Sequence, residues 1–206
     1  MTVDEARTDT AGVPAPAPPR SAGAPRILRP TASELPWYLD GLAALLTDTV
    51  AGGASLGFLS DLDETGARAW WERRIPEAAA GELWLWIARD TDGGVIGTIS
   101  LYPVDKPNGR HRGEIAKLMV SRAARRGGVA RALLTTAERA AADAGLTLLV
   151  LDTETGSPAE NFYRAAGWTE VGRIPDYAAD PAGRLRPTTI FHRDPRDTPP
   201  AGAGRG

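Results

Sequence analysis

The chain has 206 residues, a formal net charge of -2, and 42% hydrophobic and 24% charged residues. That is enough to bury one core unaided, and too little charge of either sign to draw the chain to nucleic acid or an acidic membrane. It has no Cys, which excludes disulfides, thiolate metal sites and a cysteine nucleophile, and its two His (His111 and His192) are too sparse for a histidine metal centre, so no metal is expected.

No apolar run approaches the ~20 residues of a membrane helix. The N-terminus MTVDEARTDTAGVPAPAPPRSAGAPR lacks the apolar centre of a signal peptide, so a cytoplasmic location is expected. Residues 1–25 and 194–206 are rich in Pro, Ala, Gly and charge and read as disordered tails around a domain spanning 26–193.

Within the domain, Ile27-Leu28-Arg29-Pro30 reads as a short edge strand, because Pro30 bars a central position. Ser33 is expected to open a helix with Pro36 in its first turn and Trp37, Leu42, Leu45 and Leu46 on its apolar side, fading at Gly52-Gly53. Asp61 to Ala80 reads as a second helical region, with Trp70 and Trp71 filling core and Pro76 ending or bending it. Glu82 to Ala88 and Val95 to Tyr102 flank the turn Asp92-Gly93-Gly94 and form a hairpin. A turn at Lys106-Pro107-Asn108-Gly109 leads into a strand from Glu114 to Val120.

A loop from Ser121 to Gly127 then precedes a helix running to about Ala144, whose Val129, Leu133, Ala137, Ala140 and Ala144 share one face; Gly145 is its stop. Leu146 to Leu151 is apolar on both faces, as a central parallel strand must be when helices cover both sides. Ser157-Pro158-Ala159-Glu160 is a capping box with proline at the first helical position, opening a helix that holds Phe162 and Tyr163 and ends at Gly167. Trp168 to Ile174 and Thr188 to His192 are the last strands, joined by a loop containing Asp176-Tyr177 and Arg184-Leu185-Arg186.

Arg125-Arg126-Gly127-Gly128-Val129-Ala130 lies between a strand and a helix start. Unpaired first-turn N–H groups, glycines that let backbone approach and charged arginines make this a pyrophosphate cradle; the plainer alternative is a glycine-rich turn with solvated arginines. It ends in no Gly-Lys-Ser/Thr and does not fit G-x-G-x-x-G, so the nucleotide P-loop and the dinucleotide fingerprint are excluded.

Two motifs at this separation carry a resemblance. Leu118-x-Val120 followed by Arg125-x-x-Gly128-x-Ala130, and then Ala159-x-x-Phe162-Tyr163-x-x-x-Gly167-Trp168, resemble the GNAT acyltransferase family, and the order of elements agrees from about Arg26 to His192. The resemblance implies an α/β fold with a mixed, mostly antiparallel sheet of about seven strands, a splayed parallel central pair and helices on both faces. It implies acetyl-CoA as co-substrate, held by Met119 and Val120 backbone, by Arg125, Arg126, Gly127, Gly128, Val129, Ala130 and Arg131, and by Asn161. Gly156 departs from the family pattern, where many relatives carry a cofactor-contacting Asn. A narrower likeness, in His111-Arg112-x-Glu114, Lys117-Leu118-Met119-Val120, Leu151-Asp152-Thr153-Glu154 and Gly183-Arg184-Leu185-x-Pro187-Thr188, is to members that inactivate an amino-acid toxin by acetylation.

Acyl transfer to an amine needs a base for the ammonium, donors for the carbonyl oxygen and a proton for the departing thiolate. With no Cys, direct transfer in a ternary complex is the economical route. The resemblance places Glu114 as base, Asp152 as a second carboxylate that assists or binds the ammonium, and Tyr163 as acid. Without it, a solvent-side Glu, a strand-ending Asp and a core Tyr would be the ordinary readings. The expected acceptor is a small-molecule amine, toxin or antibiotic included. A protein N-terminus or lysine is the first rival, a non-catalytic acyl-CoA-binding module the second, and a homodimer is compatible with the sequence.

Overall fold

A computed structural model describes residues 25–198. Seven strands form one sheet: β1 (Arg26–Leu28), β2 (Trp84–Arg89), β3 (Val95–Pro103), β4 (Arg112–Val120), β5 (Leu148–Glu154), β6 (Thr169–Ala179) and β7 (Leu185–Arg193). Their order across the sheet is β1-β2-β3-β4-β5-β7-β6, and every neighbouring pair is antiparallel except β4–β5. The expected α/β sheet with one central parallel pair is therefore present.

Alternation along β2 divides the interior in two. Trp86 and Ala88 join a core built with helix α4 (Val129–Asp143), while Leu85 and Ile87 face helices α1 (Leu39–Ala51) and α2 (Glu64–Glu72). Helices thus cover both faces. Among the described residues no helix is long and apolar enough to cross a membrane.

The N-terminal helix differs from its expected form. Thr31, not Ser33, organises its start, with its backbone N–H and hydroxyl both donating to the Glu34 carboxylate. A 3-10 turn over Leu35–Tyr38 precedes α1, and this rotates Trp37 outward to 76% exposure while Leu42, Leu45 and Leu46 stay buried. The second helical region is two helices: α2 stops at Glu72, and Pro76 sits in the first turn of α3 (Ile75–Ala80), where its missing N–H costs nothing. On α4 the buried face continues from Ala137 to Ala141 and includes Leu134 and Glu138; Ala140 packs half-buried against it, and Ala144 is exposed. Glu138 is tolerated inside because Trp168 Nε1 donates to it at 2.8 Å, Thr198 Oγ1 at 2.9 Å, and the Arg193 guanidinium lies 3.5 Å away.

The Thr198 contact is one of several made by the segment after Arg193. Residues 194–198, expected in a tail, pack onto the domain: Asp194 caps a 3-10 turn over Pro195–Asp197, and Pro195 is buried. Residues 1–24 and 199–206, the bulk of both expected tails, lie outside the described residues. The last two strands are longer than expected as well. Asp176 and Tyr177 belong to β6 and Leu185 and Arg186 to β7, because a bulge between Ile174 and Ala178, with Asp176 at φ +50°, carries the ladder past an apparent loop.

Helix α5 (Pro158–Ala165) starts with the expected Ser157 cap, whose Oγ accepts from Glu160 N–H at 3.2 Å; the Glu160 carboxylate reaches one residue past the cap to Gly156 N–H at 2.8 Å, while Ser157 N–H goes to Glu154 O. The same carboxylate accepts from Thr189 Oγ1 on β7 and Arg164 Nη2, both at 2.7 Å, with Arg173 on β6 at 3.6 Å. One buried group therefore ties α5 to both outer strands, and its partners, the Arg164 guanidinium first, hold its pKa down from 4.5 to about 2. A carboxyl depressed on folding stabilises the fold above its unfolded pKa, and this is lost as pH falls through the folded value. Glu160→Gln should therefore cost about 2 kcal/mol at neutral pH. It should also flatten the loss of melting temperature between pH 4.5 and about 2, measured by thermal denaturation across that range.

Candidate active site

The two central strands meet only briefly. β4 and β5 pair at Arg112↔Leu148, Gly113↔Leu149 and Glu114↔Val150, yet β4 continues to Val120 and β5 to Glu154. The cause lies on the other side of β4, where Ser100 faces Ala116 and Thr98 faces Met119, so Lys117 and Leu118 together oppose Ile99. This is a β-bulge, with Lys117 at φ +51°, and the added bend turns β4 away from β5. Ser121 N–H bonds back to Ile96 O on β3 at 2.9 Å, so by antiparallel alternation the preceding Val120 turns its N–H and C=O towards the gap. Met119 by the same alternation faces its backbone to β3, and its side chain is buried under α1. Of the two residues expected to hold pantetheine, Val120 alone presents free backbone.

Glu114 stands opposite Tyr102, which packs against the α1–α2 core, and beside Val150. Leu149 and Leu151 point into the α4 core, so Asp152 emerges on the same face as Glu114. Partial burial and the negative charge of Asp152 raise the Glu114 pKa above its ordinary value, with Lys117 opposing. Asp152 accepts from Thr188 Oγ1 at 3.1 Å. Tyr163 comes from the other face, its ring centroid 5.3 Å from Phe162, 5.9 Å from Trp168 and 6.2 Å from Phe191. Burial, then the charge of Asp152, pushes its phenol above the ordinary value. The carboxylates and the phenol share one electrostatic neighbourhood, approached from the two faces of the sheet at its gap.

Five residues that sequence reasoning missed complete that neighbourhood. The Lys117 ammonium lies 5.5 Å from the Trp70 ring and 5.8 Å from Phe58, and the Arg74 guanidinium stacks 3.9 Å over Trp70. Burial raises the Tyr102 phenol, with Arg74 opposing. Trp71 is the core residue expected, donating its indole N–H to Leu42 O at 3.1 Å, but Trp70 faces the site. The loop carrying Phe58 bridges to the far side: Ser60 N–H donates to Pro181 O at 2.9 Å and Ser55 Oγ to Ala179 O at 3.3 Å. This end of the gap is roofed.

At the other end, Gly128 caps α4 at φ +78° with no side-chain cap, and Arg126 before it sits at φ +66°. Arg125, Arg126, Gly127 and Gly128 are exposed, and a Cβ on Gly128 would meet nothing within 4 Å. Open first-turn N–H groups beside two cations suit a phosphate. Val129 is buried and Ala130 half-buried, so they offer backbone only. Arg131 is committed elsewhere: its Nη2 donates to Ala165 O at 3.0 Å and its guanidinium covers Phe162 at 5.3 Å, which docks α5 on α4. Asn161 is exposed on α5. Gly156, in place of the family's Asn, is at φ +81° and gives its N–H to Glu160.

The profile of the acetyltransferase (GNAT) family matches residues 56–168. Among solved structures, a ribosomal-protein-alanine N-acetyltransferase from Brucella melitensis is 24% identical, covering 82% of this chain and 99% of that one, with a TM-score of 0.64. A GCN5-related N-acetyltransferase from Kribbella flavida is 23% identical, covering 83% and 98%, with a TM-score of 0.65. A phosphinothricin acetyltransferase from Sinorhizobium meliloti, in complex with AcCoA, is 18% identical, covering 87% and 95%, with a TM-score of 0.69. At these identities the structures share the fold.

The positive φ of Gly128 makes it the sensitive point of the cradle. Gly128→Val should weaken coenzyme A binding at least ~10-fold, through about 1–3 kcal/mol of backbone strain and a blocked approach to phosphate. Calorimetric titration of coenzyme A into a variant that still melts cooperatively checks it; unchanged affinity removes the cradle.

Proposed function

The chain belongs to the GNAT acetyltransferase family, and from that premise we propose that it transfers acetyl from acetyl-CoA to the amine of a small polar molecule. The observation that carries the acceptor class is the roof formed by Ser55 and Ser60 on the hydrogen bonds to Ala179 and Pro181. A closed acceptor end suits a small molecule better than a polypeptide, which needs an open groove for its chain. Inactivation of an amine-bearing toxin is the narrower form of this reading. It is supported by the likeness of the runs around His111, Lys117, Asp152 and Arg184 to toxin-acetylating members, and by a neighbour that is a phosphinothricin acetyltransferase.

In this reading the cradle at Arg125–Gly128 takes the pyrophosphate, the gap between β4 and β5 takes the pantetheine, and Val120 N–H faces the thioester. The acceptor enters on the Glu114–Asp152 face. Glu114, its pKa raised by burial and by Asp152, removes the ammonium proton, and Asp152 holds or assists the amine. The amine nitrogen attacks the carbonyl carbon, the C–S bond breaks, and the amide forms. Tyr163 protonates the leaving sulfur and regains a proton from the nitrogen through solvent. A phenol raised by burial is fully protonated at neutral pH, and the same apolar surroundings raise a thiolate placed beside it, which keeps the transfer balanced.

Both roles have direct tests. A base works when deprotonated, so turnover should fall as pH drops through a Glu114 pKa lying above the ordinary 4.5. Glu114→Gln should lower turnover by ~10²–10⁴ and abolish that acidic limb. A loss of a few-fold with the limb intact would move the role to Asp152 or to water. Tyr163→Phe keeps the ring packing with Phe162, Trp168 and Phe191 and removes only the hydroxyl. Turnover should fall ~10²-fold or more while melting temperature and coenzyme A affinity hold. Turnover within about two-fold of wild type would make it a packing residue. Thiol release from acetyl-CoA with a panel of small amines and peptides tests the acceptor class: peptides as the best acceptors would overturn the small-molecule reading, and no release with any acceptor would leave an acyl-CoA-binding module.

A further inference from the structure

Asp48 lies in the last turn of α1, where a carboxylate opposes the helix dipole and no basic residue of that turn offsets it. The stability of α1 does not explain an acid there; its partner is on another element. Asp48 Oδ1 accepts from Arg122 Nε at 2.7 Å, with Arg122 Nη2 at 2.6 Å, and Oδ2 accepts from the Arg122 backbone N–H at 3.3 Å. The Arg122 side-chain bond holds the Asp48 carboxyl below its ordinary value, and the charge of Arg125 acts in the same direction. Arg122 opens a 3-10 turn, Arg122–Ala124, directly before the Arg-Gly cradle. Ser121 ahead of it makes no side-chain cap, so Asp48 caps that turn from across the fold.

The cradle needs such a hold. Arg126 sits at φ +66°, two residues before Gly128 at φ +78°, and a left-handed arginine persists only where its surroundings impose that conformation. Among the described residues, the side-chain hydrogen bonds that reach the segment from Ser121 to Gly128 come from Asp48 alone. Its other ties are backbone ones, such as Ser121 N–H to Ile96 O and Ala124 N–H to Ser121 O. The same helix end also places Arg125. Arg125 Nη2 lies 3.7 Å from the point where a Cβ on Gly52 would stand, and the carbonyl oxygens of Asp48 and Thr49 are each 3.3 Å from that point. The carboxyl end of α1 attracts a guanidinium by its dipole. With Arg122 occupying the Asp48 carboxylate, Arg125 is near that charge without being spent on it.

We propose that Asp48 is the positioning residue of the cofactor cradle: by binding Arg122 it sets the backbone that turns left-handed at Arg126 and Gly128, and it leaves Arg125 for phosphate. Asp48 itself touches no ligand. This rests on the cradle reading above and deepens it. The dependence is confined to one part of the cofactor, the pyrophosphate, because the pantetheine arm and the thioester belong to the gap between β4 and β5. A plain surface ion pair would contribute little to stability and nothing to ligand affinity, which separates the two accounts.

Two ligands separate cradle from gap: coenzyme A, which carries the phosphates, and S-acetylpantetheine, which carries the thioester without them. Asp48→Asn keeps the shape and removes the charge, and it should raise the coenzyme A Kd about ten-fold by calorimetry. Binding of S-acetylpantetheine, followed by ligand-observed NMR, should match wild type. In turnover the KM for acetyl-CoA should rise while kcat and the acceptor KM hold. Arg122→Gln should repeat this pattern, and the double variant should be no worse than either single one, because all three remove one contact. Each variant is first checked for cooperative melting; should Asp48→Asn not fold, Arg122→Gln, at an exposed side chain, carries the test. Unchanged coenzyme A affinity in both single variants, beside a Gly128→Val variant that loses it, overturns the role of Asp48 and leaves the cradle standing. Equal losses for coenzyme A and S-acetylpantetheine also overturn it, since the contact then only supports the fold. Additive losses in the double variant overturn the action through Arg122. If Gly128→Val keeps its affinity too, the cradle reading falls and the role of Asp48 with it.

Discussion

The fold depends on a place where its sheet is left open. Unpaired N–H and C=O groups in the middle of a sheet are costly, and strands normally continue pairing to avoid them. Here the bulge at Lys117 ends the β4–β5 ladder after Glu114↔Val150. β5 keeps its partners on the other side, pairing with β7 from Leu149↔Arg193 to Glu154↔Thr188. The open edge is thus confined to one side of each strand, which is the arrangement that lets an extended ligand borrow backbone hydrogen bonds without dissolving the sheet. With only a short ladder joining its two halves, the sheet has to be held by other means. Leu149, Leu151 and Phe191 from the far half share a core with Leu133 and Ile99 from the near half. Glu160 binds α5 to β6 and β7, Arg131 binds α4 to α5, and the Ser55 and Ser60 contacts close the remaining side.

The same gap explains the electrostatics. Charged groups on a half-buried face are stable only if their signs nearly cancel or their hydrogen bonds are met. Burial lowers the Lys117 pKa against the pull of Asp152 and Glu114, and burial raises that of Glu114 against the pull of Lys117. Yet none of these groups is locked in an ion pair among the described residues. They remain available to a ligand, unlike Glu160, whose carboxyl is saturated by Gly156, Thr189 and Arg164. Saturated charges hold the fold; the unsaturated ones line the proposed site.

The sequence made local rules legible where a rule fixes backbone geometry. Ser157 and Pro158 open a helix and Asp92-Gly93-Gly94 reverses a strand, and both stand so. It was silent where one residue shifts the register of many. Strict alternation puts Glu114, Leu118 and Val120 on one face, but the bulge after Ala116 moves Leu118 and Val120 against the α4 core and Met119 to the α1 side. No propensity marks Lys117 for φ +51° or Asp176 for the bulge that lengthens β6. Trp37 was misread for a related reason: a 3-10 turn advances the chain differently from an α-helix, so its outward face follows from the Thr31–Glu34 contact and not from hydrophobic spacing.

These differences also separate what kind of code each half of the site uses. In the proposed site the phosphate end is written in consecutive residues, Arg125 to Gly128, whose backbone direction depends on local φ. A motif can carry it, and a family can share it across low identity. The acceptor end of the proposed site draws on Phe58 before α2, Trp70 on α2, Arg74 after it, Tyr102 on β3, Lys117 on β4 and Asp152 on β5. No spacing relates them, since each is brought in by a different element, and a substitution at any one leaves the motif and the fold intact. Cofactor and chemistry are therefore common property of this architecture, while the choice of acceptor rests with side chains that only the folded chain brings together.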